Sequence, residues 1–221
     1  MKDITGMFAS LFKTKKGKDI QPESTYADTL PMERISRMEL PGLPDCSMDA
    51  VIDFAQNGWT LDEMHGLPHW QKVERNAIVL SLEVVDNTVR FRTDVNLKVV
   101  RHFAYLHDKC RLDNGTDLEH GVRSAEMLPS IRNTILKDFT DEEFSLLEQA
   151  CRYHTTKRRT GVPTIDVCFD ADRLDLGRVG IVPNPKKMAT PQGAYYASSF
   201  WHWENSALFT EYYEKILCNI Q

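Results

Sequence analysis

The sequence predicts an all-α fold. Apolar residues recur at the 3.6-residue spacing of a helix face, capping signals open several of those stretches, and convincing strand alternation is scarce. About six to eight helices of ordinary length fit the chain. Its 221 residues suit one large domain, or one domain with an extension.

Residues 1–45 read as a partly irregular N-terminal extension. They hold the basic run Lys13-Thr14-Lys15-Lys16-Gly17-Lys18 and the prolines of Leu40-Pro41-Gly42-Leu43-Pro44, which disfavour a regular helix. Met1 to Phe12 reads as a short amphipathic helix or a disordered tail; a secretory signal would place its charges first. The compact domain is expected over 46–221. Ser47 is the expected cap of its first helix. A second helix is expected from Trp70 to about Val85, through Val73, Ala77, Leu80 and Val84. Asp94 is the expected cap of a third, with Leu97, Val100, Ala104 and His107 on one face. Two more are expected over 117–137 and 140–155, the latter opened by the capping-box pattern Thr140-Asp141-Glu142-Glu143. Segments near 164–176 and 205–218 complete the set. Residues 181–200, with Pro183, Pro185, Pro191 and Gly193, are expected to form a long irregular loop.

Composition narrows the function classes. Hydrophobic residues make up 42% and charged residues 27%, as in an ordinary globular protein, and the net charge is -5. A dedicated nucleic-acid binder is disfavoured by that balance. The five cysteines are scattered without CxxC spacing, so neither a disulfide scaffold nor a zinc ribbon is expected, and a reducing, cytoplasmic location is. No stretch approaches the roughly 20 apolar residues that span a bilayer.

The chain has seven histidines, and several stand beside carboxylates at expected helix ends: His65 and His69 in His65-Gly66-Leu67-Pro68-His69-Trp70, the doublet His107-Asp108, His120 in Glu119-His120-Gly121, and His154. A divalent ion needs imidazoles and carboxylates converging on one point. Neighbours in mid-helix diverge by about 100°. A doublet at a helix end escapes that limit, and His69 and Asp172 are suitable donors from other helices.

The order His69 … His107-Asp108 … Asp172 resembles the signature of the HD-domain superfamily of metal-dependent phosphohydrolases over about residues 59–180. Phe103-Ala104-Tyr105-Leu106-His107-Asp108 is similar to the defining doublet. Glu119-His120-Gly121-Val122-Arg123-Ser124-Ala125 and Ala171-Asp172-Arg173-Leu174-Asp175 resemble later motifs. The resemblance implies an HD-type helical bundle in which His69, His107, Asp108 and Asp172 bind one metal ion. It implies that His120 and His154 hold a second ion bridged by Asp108; the alternative for these two is to orient water or phosphate around one ion. The implied activity is hydrolysis of a nucleotide or other small phosphomonoester by metal-activated water. Nucleotide phosphodiester cleavage and a non-catalytic, nucleotide-sensing metal module are the rival readings. The ion is one or two of manganese, iron, cobalt, nickel, zinc or magnesium.

Two departures from the family pattern bear on substrate. Many members read His-Asp-x-x-Lys; here the fourth position is Arg111, a cation able to grip phosphate bidentately. Gly161-Val162-Pro163 lacks the tyrosine of the cyclic-dinucleotide branch, and Lys109-Cys110-Arg111 lacks the acidic residues of the guanosine-tetraphosphate branch. Asp108 and Arg111 are the expected catalytic groups. Arg111, Arg123, Lys157, Arg158 and Arg173 are the candidate phosphate contacts, with Arg178 a further one. His65 is expected to support a ligand, His102 to face away from the site, and His202 to pack among tryptophans. Of Asp170 and Asp175, one is expected to orient a ligand or an arginine.

Overall fold

The computed structural model describes residues 41–43 and 47–198. Of the expected extension over 1–45 only residues 41–43 are described, and the expected helix at 205–218 and His202 lie outside the described residues. What is described is mostly helical, as the sequence predicts. In chain order the elements are α1 (Asp49–Gln56), α2 (Leu67–Leu80), a hairpin of β1 (Leu82–Val85) and β2 (Thr88–Phe91), α3 (Leu97–Leu106), α4 (His120–Met127), α5 (Asp141–Tyr153), α6 (Pro163–Arg173) and α7 (Pro191–Ser198). Short 3-10 turns at Leu128–Ile131, Leu176–Val179 and Pro185–Lys187 join them.

Helix α3 is the axis of the bundle. It packs against α1, α2, α5 and α6, so no side of it is left for water. Val99, Val100, Phe103, Ala104, Tyr105 and Leu106 are accordingly all buried. Fully burying such a side chain contributes roughly 1.5–3 kcal/mol. Even Arg101 is buried, its Nε 2.7 Å from Glu74 Oε1 on α2. The Tyr105 hydroxyl donates to the same carboxylate at 2.5 Å. A buried cation needs such a partner, because leaving either charge alone in the core costs several kcal/mol.

Several boundaries differ from the expectations, each for a local reason. Met48, not Ser47, stands at the cap position of α1, although Ser47 Oγ still accepts from the Asp49 amide at 3.3 Å. Helix α2 starts earlier than expected, with Pro68 in its first turn, and stops at Leu80. The chain then folds into an antiparallel hairpin, pairing Val84 with Val89. Asp86 and Asn87 both take positive φ there, the conformation that two-residue hairpin turns require. Asn96, not Asp94, caps α3, its side chain accepting from the Val99 amide, while Asp94 pairs with Arg92 at 2.9 Å.

The expected helix over 117–137 breaks after Met127. Pro129 lacks the N–H that an α-helical turn needs, and a 3-10 turn follows. The capping box at Thr140 and Glu143 is present, both reciprocal bonds formed. Residues 181–198 are not an irregular loop. The carboxylate of Asp170 accepts from the Ala189 amide at 2.7 Å and from the Thr190 amide and hydroxyl at 2.7 and 2.8 Å, and Thr190 Oγ1 accepts from the Gly193 amide, so α7 starts on a buried anchor.

No helix among the described residues is long and apolar enough to cross a membrane.

Candidate metal centre

Six side chains from five helices meet where those helices end. His69 lies in the first turn of α2, His107 caps the C-terminus of α3 with Asp108 next to it, His120 opens α4, His154 caps the C-terminus of α5, and Asp172 lies in the last turn of α6. A helix end lets the chain depart from the 100° step, so His107 and Asp108 can aim at one place.

The geometry divides into two donor sets that share Asp108. In the first, His69 Nε2 lies 3.2 Å from His107 Nε2 and 3.7 Å from Asp108 Oδ2. Asp172 Oδ1 lies 3.6 Å from His69 Nε2 and 3.8 Å from His107 Nε2. In the second, Asp108 Oδ1 lies 2.9 Å from His120 Nε2 and 3.9 Å from His154 Nε2, and the two imidazole nitrogens are 2.8 Å apart. Two ligands held at about 2.1 Å in a tetrahedral site are themselves about 3.4 Å apart. The first set matches that spacing. These buried groups can hold a metal ion.

The outward nitrogens fix the tautomers. His69 Nδ1 donates to Asp175 Oδ2 at 2.7 Å. His107 Nδ1 points at the carbonyls of Phe103 and Ala104, both 3.1 Å away, and His154 Nδ1 donates to the Cys151 carbonyl at 2.7 Å. His120 Nδ1 donates to the Asp117 carbonyl. A carbonyl only accepts, so each Nδ1 carries a proton and, in the neutral ring, each Nε2 a lone pair. Lone pairs therefore face one another across both sets, an arrangement that a shared proton or a metal ion relieves. Four donors converging in the first set exceed what one proton can serve.

Charge follows from burial and neighbours. Burial drives the His107 imidazole down to about 3 and that of His154 to about 4, so both are neutral at pH 7. Burial alone would raise the Asp108 carboxyl, but His107, His120, His65 and His69 outweigh it and hold it well below the usual carboxylate range. Asp172 is likewise held low against its burial, chiefly by Arg178. His120 is raised, because its bond to Asp108 outweighs its burial. His107 and His154 thus offer neutral imidazoles, and Asp108 and Asp172 ionised carboxylates, the protonation states that divalent ions require. His65 Nε2 is buried without a hydrogen bond.

Beside the donors lies a cavity of about 480 Å³, with His65, Asp108, His120, His154 and Asp172 on its floor. His65 Nδ1 is 3.3 Å from Asp108 Oδ2. Of the candidate phosphate contacts, Arg111, Arg173 and Arg178 line the cavity; Arg123, Lys157 and Arg158 do not. Arg123 is held by the Asp117 carboxylate and the Cys110 carbonyl, Lys157 lies over the Tyr153 ring, and Arg158 donates to the Met188 carbonyl. Arg111 lies 3.5 Å from Asp108 Oδ1 while bonding the carbonyls of Asp113 and Gly115. Arg173 is turned to the carbonyls of Lys157, Arg158 and Lys187, tying two loops together. Arg178 lies 3.6 Å from Asp172 Oδ1.

Asp175 orients His69, and Asp170 instead anchors α7. His102 faces away, stacked edge-on against Phe139. Sequence reasoning missed Asp117, whose carbonyl sets the His120 tautomer, and Lys72, whose Nζ lies 3.3 Å from Asp175 Oδ1. A carbonyl acts regardless of residue type, so no sequence signal marks Asp117 for that role. Lys72 stands one helical turn after His69, a spacing that can place it over the same partner.

Comparison with known proteins finds no match to the chain among family models, curated proteins or solved structures.

Proposed function

We propose that the protein is an intracellular metal-dependent phosphohydrolase of HD-domain type, acting on a small phosphate monoester. One observation carries this reading: Asp108 presents one oxygen to each of two buried donor sets beside a cavity that Arg111, Arg173 and Arg178 also line. The motif order His69 … His107-Asp108 … Asp172 supports it. The free thiols of Cys110, Cys151 and Cys168 fit a reducing compartment.

A bound ion supplies positive charge to the phosphoryl oxygens and acidifies water. The protein's own groups do the rest. Asp175 fixes the ring of His69 so that Nε2 faces inward. Neutral His107 and His154 present lone pairs. Arg178 and Arg111 sit where charge on a phosphoryl group needs neutralising. The oxygen of water bonds to phosphorus, the ester P–O bond breaks, and the alcohol leaves with the proton that water loses.

Elemental analysis of purified protein, joined to a phosphatase screen over mono-, di- and triphosphate nucleotides and simple phosphomonoesters, tests the proposal. Bound divalent metal and phosphate release that Asp108→Ala abolishes are expected. Metal retention without turnover of any ester would leave a binding module instead.

A further inference from the structure

Six large apolar side chains are markedly exposed among the described residues: Met64, Leu112, Leu118, Val162, Ile181 and Val182. Two of them line the cavity beside the donor sets, and Met64, Leu112 and Val182 each adjoin a lining residue in sequence. Leu118 and Ile181 line it, 61% and 53% exposed. Val182 follows Ile181, Leu112 follows the lining residue Arg111, and Met64 precedes His65 and accepts from Arg178 through its carbonyl at 3.0 Å. Leu176 and Val179 extend the same wall inward. Solvent-exposed apolar groups gathered around one polar floor mark a ligand surface.

This wall is built. The 3-10 turn Leu176–Val179 closes with the Ile181 amide donating to the Leu176 carbonyl at 3.1 Å, and Gly180 takes the left-handed φ of 74° that the closure needs. Arg178 pins the turn to Met64 and Asp175. On the opposite side the Leu112 amide donates to Asp117 Oδ2 at 3.0 Å, fixing the Leu112–Leu118 segment. Among the described residues no phenylalanine, tyrosine or tryptophan lines the cavity, and its rings are the imidazoles of His65, His120 and His154 around Asp108, whereas Leu118, Leu176, Val179 and Ile181 line it with aliphatic carbon.

Resting on the phosphohydrolase reading, we infer that the substrate is an amphiphilic phosphate monoester whose leaving group is an aliphatic alcohol. The phosphate lies over Asp108 and its donor sets. The chain lies between Leu118 and the Leu176–Ile181 wall. A nucleoside in the same place would set a polar base and sugar against aliphatic carbon.

Straight-chain alkylphosphonates from ethyl to octyl, which cannot be hydrolysed, test this by calorimetry on the protein carrying the metal it retains. Affinity should rise roughly twofold per methylene, half the about fourfold of complete burial, or about sixtyfold over the six added methylenes. The double variant Leu118→Ser, Ile181→Ser should cut that gain to tenfold or less. Both side chains are more than half exposed, so the fold tolerates the change. Equal affinity along the series, or tighter binding of a nucleoside phosphonate than of octylphosphonate, would overturn the inference while leaving the phosphohydrolase reading intact. Octanol binding as tightly as octylphosphonate would also overturn it, showing an apolar surface unconnected with the site. Failure of every phosphonate to bind would remove both readings.

Discussion

The Nε2 atoms of His69 and His107 face each other across 3.2 Å while both Nδ1 atoms are engaged outward, one by Asp175 and the other by helix carbonyls. Nothing in ordinary core packing asks two imidazoles to aim lone pairs at each other. With Asp108 Oδ2 and Asp172 Oδ1 beside them, the arrangement makes sense as a site for a cation.

Stoichiometry separates the two donor sets. The wild type is expected to hold two equivalents of manganese, His120→Ala one, and Asp108→Ala none, because Asp108 presents Oδ2 to His69 and His107 and Oδ1 to His120 and His154. Atomic emission on dialysed protein measures this. A wild-type value of one that His120→Ala leaves unchanged would confine the ion to the His69 set.

Asp175 is expected to act on the metal through His69. Replacing it by alanine should weaken metal binding by about 10- to 100-fold, the usual effect of losing a partner that orients a ligand. Asparagine, which still accepts from Nδ1–H, should restore part of the affinity. Chelator competition reads the loss, and a melting curve for each variant shows whether it stems from unfolding.

The buried His102 makes stability depend on pH. Burial lowers its folded value to about 4, against about 6.5 unfolded. The unfolded chain therefore takes the proton first as pH falls. The stabilisation is fully present above about 6.5 and declines toward 4, by at most about 1.4 kcal/mol per pH unit. His102→Gln should flatten the fall in urea midpoint between pH 6.5 and 4.5 relative to wild type. Parallel slopes for the two proteins would refute this.

Two glycines are fixed by close approach. A Cβ at Gly193 would stand 2.2 Å from Asp170 Oδ2, so Gly193→Ala must dislodge the anchor of α7. Overpacking of this kind costs about 1–3 kcal/mol, a fall in Tm of roughly 2–12 °C for a chain of this size. At Gly121 a Cβ would meet the Cys151 carbonyl at 2.6 Å and the His154 ring at 3.0 Å. Gly121→Ala should therefore also remove the second equivalent of metal. Unchanged stoichiometry would show that His154 does not hold it.

Helix identity and the order of the donors were legible because both rest on residue type. Val73, Ala77 and Leu80 repeat at the helical period, and His69, His107, Asp108, His120, His154 and Asp172 all carry ligand atoms. The hairpin was not legible, since β1 and β2 are four residues each and only Asp86-Asn87 marks the turn. Residues 181–198 misled because their prolines suggest irregularity, whereas Pro185 and Pro191 sit where a helical turn begins and needs no N–H. The arginines were legible only in part. A guanidinium suits phosphate and backbone carbonyls equally, and only the fold shows that Arg173 is turned to carbonyls.

The convergence of five helix ends gives the centre a mechanical role as well. His69 and Asp172 are separated by most of the described chain, so a shared ion would close several long loops at once and oppose opening of the whole bundle. A protease cut in the exposed stretch Asp113–Thr116, between the doublet and His120, would split the donors between two pieces. The ion would then act as a rivet joining them, and a chelator would loosen the joint without touching a peptide bond.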